Sequence, residues 1–171
     1  MAKKATQILA VSFLLVFILL LTTSSFTVQA KSTKTTYTCM MHLGVSAPEP
    51  EKQWFSNDIW HIRNWPHAGY LYDGLDWTIF YLGNNNFNQY TFVGVGWGKI
   101  IFYADDGTFE GTMVINFDTG FAISGKFICH GTGAYEGMHI KGYFEGYLGS
   151  DTATTIVLHN PHGNGNVIEF I

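Results

Sequence analysis

From residue 108 onward the chain alternates apolar and polar side chains with a period of two. Phe109, Gly111, Met113, Ile115 and Phe117 share one face, with Thr108, Glu110, Thr112 and Asn116 opposite. Phe121, Ile123, Gly125, Phe127 and Cys129 then oppose Ser124, Lys126 and His130, and Met138, Ile140, Gly142, Phe144, Gly146 and Leu148 oppose His139, Lys141, Tyr143, Glu145 and Tyr147. Three successive segments with one apolar and one wet face predict antiparallel sheet. Thr152–Leu158 and Asn166–Ile171 read as two further strands. Asp105-Asp106-Gly107 predicts a hairpin turn, because Asp and Gly tolerate positive φ.

Upstream the strands are shorter and more interrupted. Lys31–Thr36 is a polar lead-in, and Tyr37–Leu43, Ile59–Arg63 and His67–Tyr72 read as strands separated by Ala47-Pro48-Glu49-Pro50 and Asn64-Trp65-Pro66. Glu51–Asn57 is expected to form at most one helical turn. Trp77–Leu82, Gln89–Val95 and Lys99–Ala104 follow, broken by Gly83-Asn84-Asn85-Asn86 and by Gly96-Trp97-Gly98. About 8–10 strands joined by short links predict an all-β, antiparallel fold. The inward glycines Gly111, Gly125, Gly142 and Gly146 favour a closed or nearly closed small barrel over a sandwich, because glycine permits the coiling that closure needs.

The first thirty residues follow another pattern. Lys3 and Lys4 precede an apolar run from Ile8 to Leu21, a Thr/Ser segment, and Val28-Gln29-Ala30 with small side chains suited to cleavage before Lys31. This tripartite order predicts a helical secretory signal over 1–30, hence a secreted or extracytoplasmic protein with no stable membrane insertion once it is cleaved. The remaining 37–171 form one domain after the 31–36 lead-in.

Composition narrows the partners. Charged residues are 13% of the chain, aromatics 16%, and the net charge is −4. An acidic, lightly charged surface without basic clusters argues against nucleic acid and anionic lipid as partners. In an oxidising compartment Cys39 and Cys129 are expected to pair as a disulfide.

The run His130-Gly131-Thr132-Gly133-Ala134-Tyr135-Glu136-Gly137 is similar to the Gly-Thr-Gly-x-aromatic-x-Gly turn of allene oxide cyclase-like and dirigent-like β-barrels. Together with Trp60-His61-Ile62-Arg63 and Asp106-Gly107-Thr108-Phe109-Glu110-Gly111, it also resembles a group of uncharacterised secreted prokaryotic β-proteins. The resemblance implies a barrel with an apolar lumen that orients a hydrophobic molecule. It carries over the scaffold and no functional side chain. On residue chemistry alone, Gly131 and Gly133 allow a tight link and Tyr135 can plug one end of a barrel.

Three functions follow from these readings. In the first, a small hydrophobic molecule binds in or at the mouth of the barrel, with Trp77, Phe109, Met113, Phe127, Tyr135 and Phe144 as the candidate lining. In the second, the five tryptophans between Trp54 and Trp97 form a glycan-binding or cell-envelope adhesion face, since exposed aromatics stack on sugar rings. In the third, the protein is structural and takes no small ligand. No metal site or cofactor is expected: His159-Asn160-Pro161-His162 offers two imidazoles where three or four ligands are needed. No nucleophile motif, phosphate loop or facing carboxylate pair appears, so the sequence leaves catalysis unsupported and leans toward a binding or structural protein.

Overall fold

The computed structural model describes residues 32–45 and 49–161. The signal segment 1–30 and the expected strand Asn166–Ile171 lie outside them. Nine strands run β1 (Thr33–Val45), β2 (Lys52–Ser56), β3 (Ile59–Tyr72), β4 (Thr78–Asn88), β5 (Gly94–Ala104), β6 (Gly107–Phe117), β7 (Ala122–Gly131), β8 (His139–Tyr147) and β9 (Thr152–Asn160). Every pairing is antiparallel, in the order β1-β9-β8-β7-β6-β5-β4-β3. The circle closes where Met40–Val45 of β1 pair with His67–Tyr72 of β3. The result is a closed eight-stranded barrel, with β2 outside it as a short ribbon on the first half of β3.

Period-two alternation continues through the wall. Ile79, Tyr81, Asn85 and Phe87 of β4 point in and are buried, as are Phe109, Met113, Ile115 and Phe117 of β6. The interior of an eight-stranded barrel is either filled by side chains or holds one small ligand. Here Phe102, Phe109, Met113, Phe144, Ile140 and Ile156 fill part of it.

The structure corrects several sequence expectations. Lys52–Ser56 is a strand rather than a helical turn, because Asn57 (φ 50°) and Asp58 (φ 63°) make a two-residue hairpin. β1 already starts at Thr33, inside the polar lead-in, where it pairs with Asn160. The breaks expected at Gly83–Asn86 and Gly96–Gly98 are both strand, and they are each other's partners: Gly83 opposes Gly98, Asn84 opposes Trp97 and Asn85 opposes Gly96. The true turn lies at Gln89–Val93, where the Asn88 side-chain oxygen accepts from the Tyr90 and Thr91 amides at 3.0 and 3.1 Å.

Asn64-Trp65-Pro66 does not end a strand either. β3 runs through it with a bulge: Ile62 opposes Asn85 and Trp65 opposes Gly83, so Arg63 and Asn64 together face Asn84. Asn64 has φ 51°, and its amide donates to Asn84 Oδ1 at 3.2 Å. A bulge inserts one residue and so inverts the in–out alternation beyond it. Trp60 and Ile62 therefore face inward before the bulge, and Trp65, His67 and Leu71 after it.

Cys39 and Cys129 are both buried and both free, so the expected disulfide does not form. β9 and β8 lie between their strands, and the register across them runs from Cys129 through Ile140 and Leu158 to Thr35, not to Cys39. Three strand spacings of about 4.8 Å exceed the ~7 Å Cα limit for a bridge.

Candidate cavity at the mouth of the barrel

Antiparallel order sends alternate turns to opposite ends. At one end lie the β3–β4, β5–β6 and β7–β8 links. Here Tyr135, in the 3-10 turn Gly133–Tyr135, is buried and stacks on Phe109 (4.9 Å, 26°). Phe109 stacks in turn on Trp77 at 5.3 Å, and Phe102 meets Trp77 and Phe127 at 6.2 and 4.9 Å. This aromatic column closes the end as a plug.

The opposite end is open. A cavity of about 460 Å³ lies there. Its walls come from the end of β1 (Leu43, Gly44), the two halves of β3 (Trp60, Trp65, His67) and the upper part of β4 (Asn85, Phe87). Three turns form its rim through Phe92, Phe121 and the Leu148–Ser150 segment. Phe87 and Phe117 meet edge to face at 4.6 Å (76°), and Trp60 leans on Phe87 at 6.3 Å. The bulge at Asn64 is what brings Trp60 and Trp65, five positions apart, onto one wall.

The cavity's polar atoms are few. Asn85 is only 3% exposed, and its Oδ1 has no hydrogen-bond partner. The indole nitrogen of Trp60 is also buried and unpartnered. Just below, Tyr81 carries a third unpartnered polar atom, its hydroxyl, whose ionisation burial pushes well above the ordinary tyrosine range. A buried polar atom left unpaired costs about 1–3 kcal/mol. His67 sits between Trp65 (4.9 Å) and Tyr81 (5.6 Å). Burial holds its pKa below the ordinary histidine value, against an opposing hydrogen bond with the Gly44 backbone. No Lys, Arg, Asp or Glu is among the described residues that line the cavity.

Two rim residues have unusual backbones. Phe92 (φ 57°) and Phe121 (φ 62°) are bulky side chains in the left-handed region, where such residues are outliers. Their rings meet at 5.6 Å, and the Leu148 amide donates to the Phe121 carbonyl at 2.8 Å, tying three turns together. Phe121 and Leu148, expected inside, are instead exposed turn tips. Beside the rim, Asp151 accepts from His42 Nδ1 (2.7 Å) and the Tyr72 hydroxyl (2.5 Å). The Tyr72 bond first, and the His42 bond after it, hold the Asp151 carboxyl below the usual carboxylate range.

The six side chains expected to line a ligand site lie elsewhere. Trp77, Phe109, Met113, Phe127, Tyr135 and Phe144 are all buried in the filled part of the barrel, and none lines the cavity. The tryptophans divide three ways. Trp77 is in the plug and Trp60 and Trp65 are at the cavity, while Trp54 and Trp97 lie outside with the Arg63 guanidinium 5.0 and 5.2 Å from their rings. His61 also stacks on Trp54 at 4.8 Å, and Lys52 lies 5.0 Å from that ring, so the Trp54 indole is flanked by three side chains. Arg63 also donates to the Ile62 and Asn85 carbonyls and to Asn86 Oδ1, which clamps the bulge.

His139 and His159 approach at 3.3 Å between their Nδ1 atoms, but no group of three or more metal-ligating side chains occurs among the described residues. His162 lies outside them. Cys129 is buried, its thiol pushed up to about 12 by desolvation, and His130 lies on the opposite, outer face.

Comparison with known proteins returns no match: no family model, no curated protein and no solved structure is similar to the chain. Of the resemblance noted in the sequence, the closed antiparallel barrel is the part that stands.

Proposed function

We propose that the barrel binds one small, neutral, largely apolar molecule in the cavity at its mouth. The carrying observation is the cavity itself: about 460 Å³ of aromatic-walled space lined in part by Asn85, whose buried Oδ1 has no partner. Ligand sites characteristically combine apolar walls with a few placed polar groups and measure roughly 300–1,000 Å³. Asn85 supplies an amide whose ends exchange by rotation about one side-chain bond, and Trp60 supplies an N–H donor. A ligand hydroxyl or amide that reaches either atom satisfies it. With no Lys or Arg among the described lining residues, burial lowering the pKa of His67, and the other lining imidazole, His42, already engaged by Asp151, a carboxylate finds no free counter-charge. The uncharged head group is thus part of the reading.

The test is binding of the neutral dye Nile red, followed by its displacement. A neutral long-chain alcohol is expected to displace it, and the carboxylate of equal length at pH 8 to do so at least tenfold less well, since an unpaired buried charge is strongly disfavoured. No dye binding, or better displacement by the carboxylate, overturns the proposal. Residues 1–30 support export as the setting; an N-terminus at Lys31 in protein recovered outside the cytoplasm of its host is the expected result.

A further inference from the structure

Exposed apolar side chains are distributed unequally between the two ends. Phe55 of β2, Tyr90, Phe92 and Val93 of the β4–β5 turn, Phe121 of the β6–β7 turn, and Tyr147 and Leu148 leading into the β8–β9 turn are all exposed at the mouth. The most prominent, Tyr90, Tyr147 and Phe55, are 73, 62 and 61% exposed. The turns at the plug end have no such residue; the exposed aromatics nearest that end, Tyr70 and Tyr103, lie on the outer wall of β3 and β5. Leu75, Trp77 and Tyr135 of those turns are buried, and what the turns expose is Asp73, Asp76, Asp105, Asp106 and Glu136. The mouth turns carry an aromatic crown and the plug-end turns carry acidic groups without one.

We propose that the crown docks the mouth of the barrel onto the interfacial region of a zwitterionic lipid membrane. Aromatic side chains suit that layer, because an apolar body and a polar tip are both accommodated there. The crown consists of small groups of side chains on separate hairpins. Such tips enter a headgroup layer hairpin by hairpin and need no shape-matched partner. The left-handed backbones of Phe92 and Phe121 hold two of them at the surface. Charge selects the lipid: the mouth turns carry Asp58, Asp118 and Asp151 and no basic cluster, so anionic headgroups are not attracted. The five acidic groups at the plug end favour that pole facing water. Phe92, Phe121 and Leu148 belong to both crown and cavity wall, which makes the apolar surface continuous from membrane to cavity.

Docking is read by amide hydrogen exchange on the full chain, with and without phosphatidylcholine vesicles. Protection is expected in residues 89–93, 119–121 and 147–151, with none gained in 73–77, 105–106 and 132–137. The Tyr90→Ser/Tyr147→Ser variant alters two exposed side chains that do not line the cavity. It is expected to lose on the order of tenfold of that protection while still binding Nile red in solution. Tyr103→Ser/Tyr143→Ser, on the outer wall, is expected to lose none. If the apolar segment 8–21 alone holds the chain to vesicles, neither pole is selectively protected, and the proposal fails. It also fails if the mouth is protected without vesicles in proportion to protein concentration, which marks a second copy as the occupant. Failure of Nile red binding with the mouth still protected overturns the cavity reading and leaves the docking surface standing.

Discussion

Phe127 of β7 covers Gly142, its direct cross-strand partner on β8, so closely that a Cβ at 142 would overlap the ring. Two residues away the relationship is reversed: Phe144 of β8 covers Gly125 of β7. Each glycine leaves the floor on which the neighbouring strand's ring lies, and two phenyl groups fit a lumen with little room to spare. The inward glycines that point to a barrel in the sequence thus act here through close approach as well as through coiling.

Gly142→Ala is therefore expected to destabilise the barrel by about 1–3 kcal/mol, the usual cost of overpacking. A lowered urea midpoint with unchanged slope checks this. Gly149→Asn, at an open turn with φ 80°, is expected to change the midpoint little.

Deleting Asn64 removes the bulge and restores simple alternation through β3. Ile62 stays opposite Asn85 and Trp65 opposite Gly83, so Trp65 and His67 keep facing inward and the cavity keeps its wall. Nile red binding is expected to persist, with a lowered urea midpoint, because the Asn64–Asn84 bond and the bulge that Arg63 clamps are lost. Asn64→Gly keeps the left-handed backbone and is expected to keep the midpoint; an equal drop in both variants would show that the Asn64 side chain, not the inserted residue, matters.

That bulge also explains which parts of the molecule were legible in sequence. β6 to β8 are regular, so period-two reading found their buried faces from Phe109 to Phe144 almost residue by residue. The cavity lies where the rules are locally broken: an inserted residue in β3, a polar Asn facing inward from β4, and aromatics at turn tips with positive φ. Asn84-Asn85-Asn86 and Gly96-Trp97-Gly98 each look like a break when read alone. They become strand only by pairing with one another, and a period count within one segment cannot see that. The Trp cluster was the available signal for the site, but its members separate only once the parity change at Asn64 is known.

Cys39 and Cys129 are expected to remain thiols even under oxidising conditions. Desolvation pushes them up to about 11 and about 12, so little thiolate exists near neutrality, and two strands separate them. A thiol reagent at pH 8 should react slowly with the native protein and count two thiols in guanidinium. A count of zero after denaturation without reductant would establish the bridge.

Stability is expected to fall as the solution is acidified through the ordinary histidine range. His67 has a folded pKa below its unfolded value of about 6.5, so the unfolded chain takes the proton first. Above that value both states are neutral and nothing changes. Below it stability declines until the folded pKa is passed, then levels off. His139 is shifted in the same direction, by burial first and then by the nearby His159, so His67→Gln should flatten only part of the slope. Urea midpoints measured from pH 8 to pH 4 give the comparison.

Asn85 separates a ligand site from a mere packing defect. Its Oδ1 is buried without a partner in the position a Cβ on Gly96 would need, so in the unliganded barrel it is a liability. Asn85→Leu removes that polar atom and adds apolar contact with Phe117, and is expected to raise stability by about 1 kcal/mol. If the carboxamide serves to hold the polar end of a ligand, the same change should weaken the neutral alcohol on the order of tenfold, the worth of one hydrogen bond to a buried group. Nile red, which has no hydroxyl to place, should lose much less. Opposite movement of stability and alcohol affinity is the signature expected of a residue kept for binding. A variant that is less stable and binds the alcohol unchanged would make Asn85 a structural residue and move the polar end of the site elsewhere.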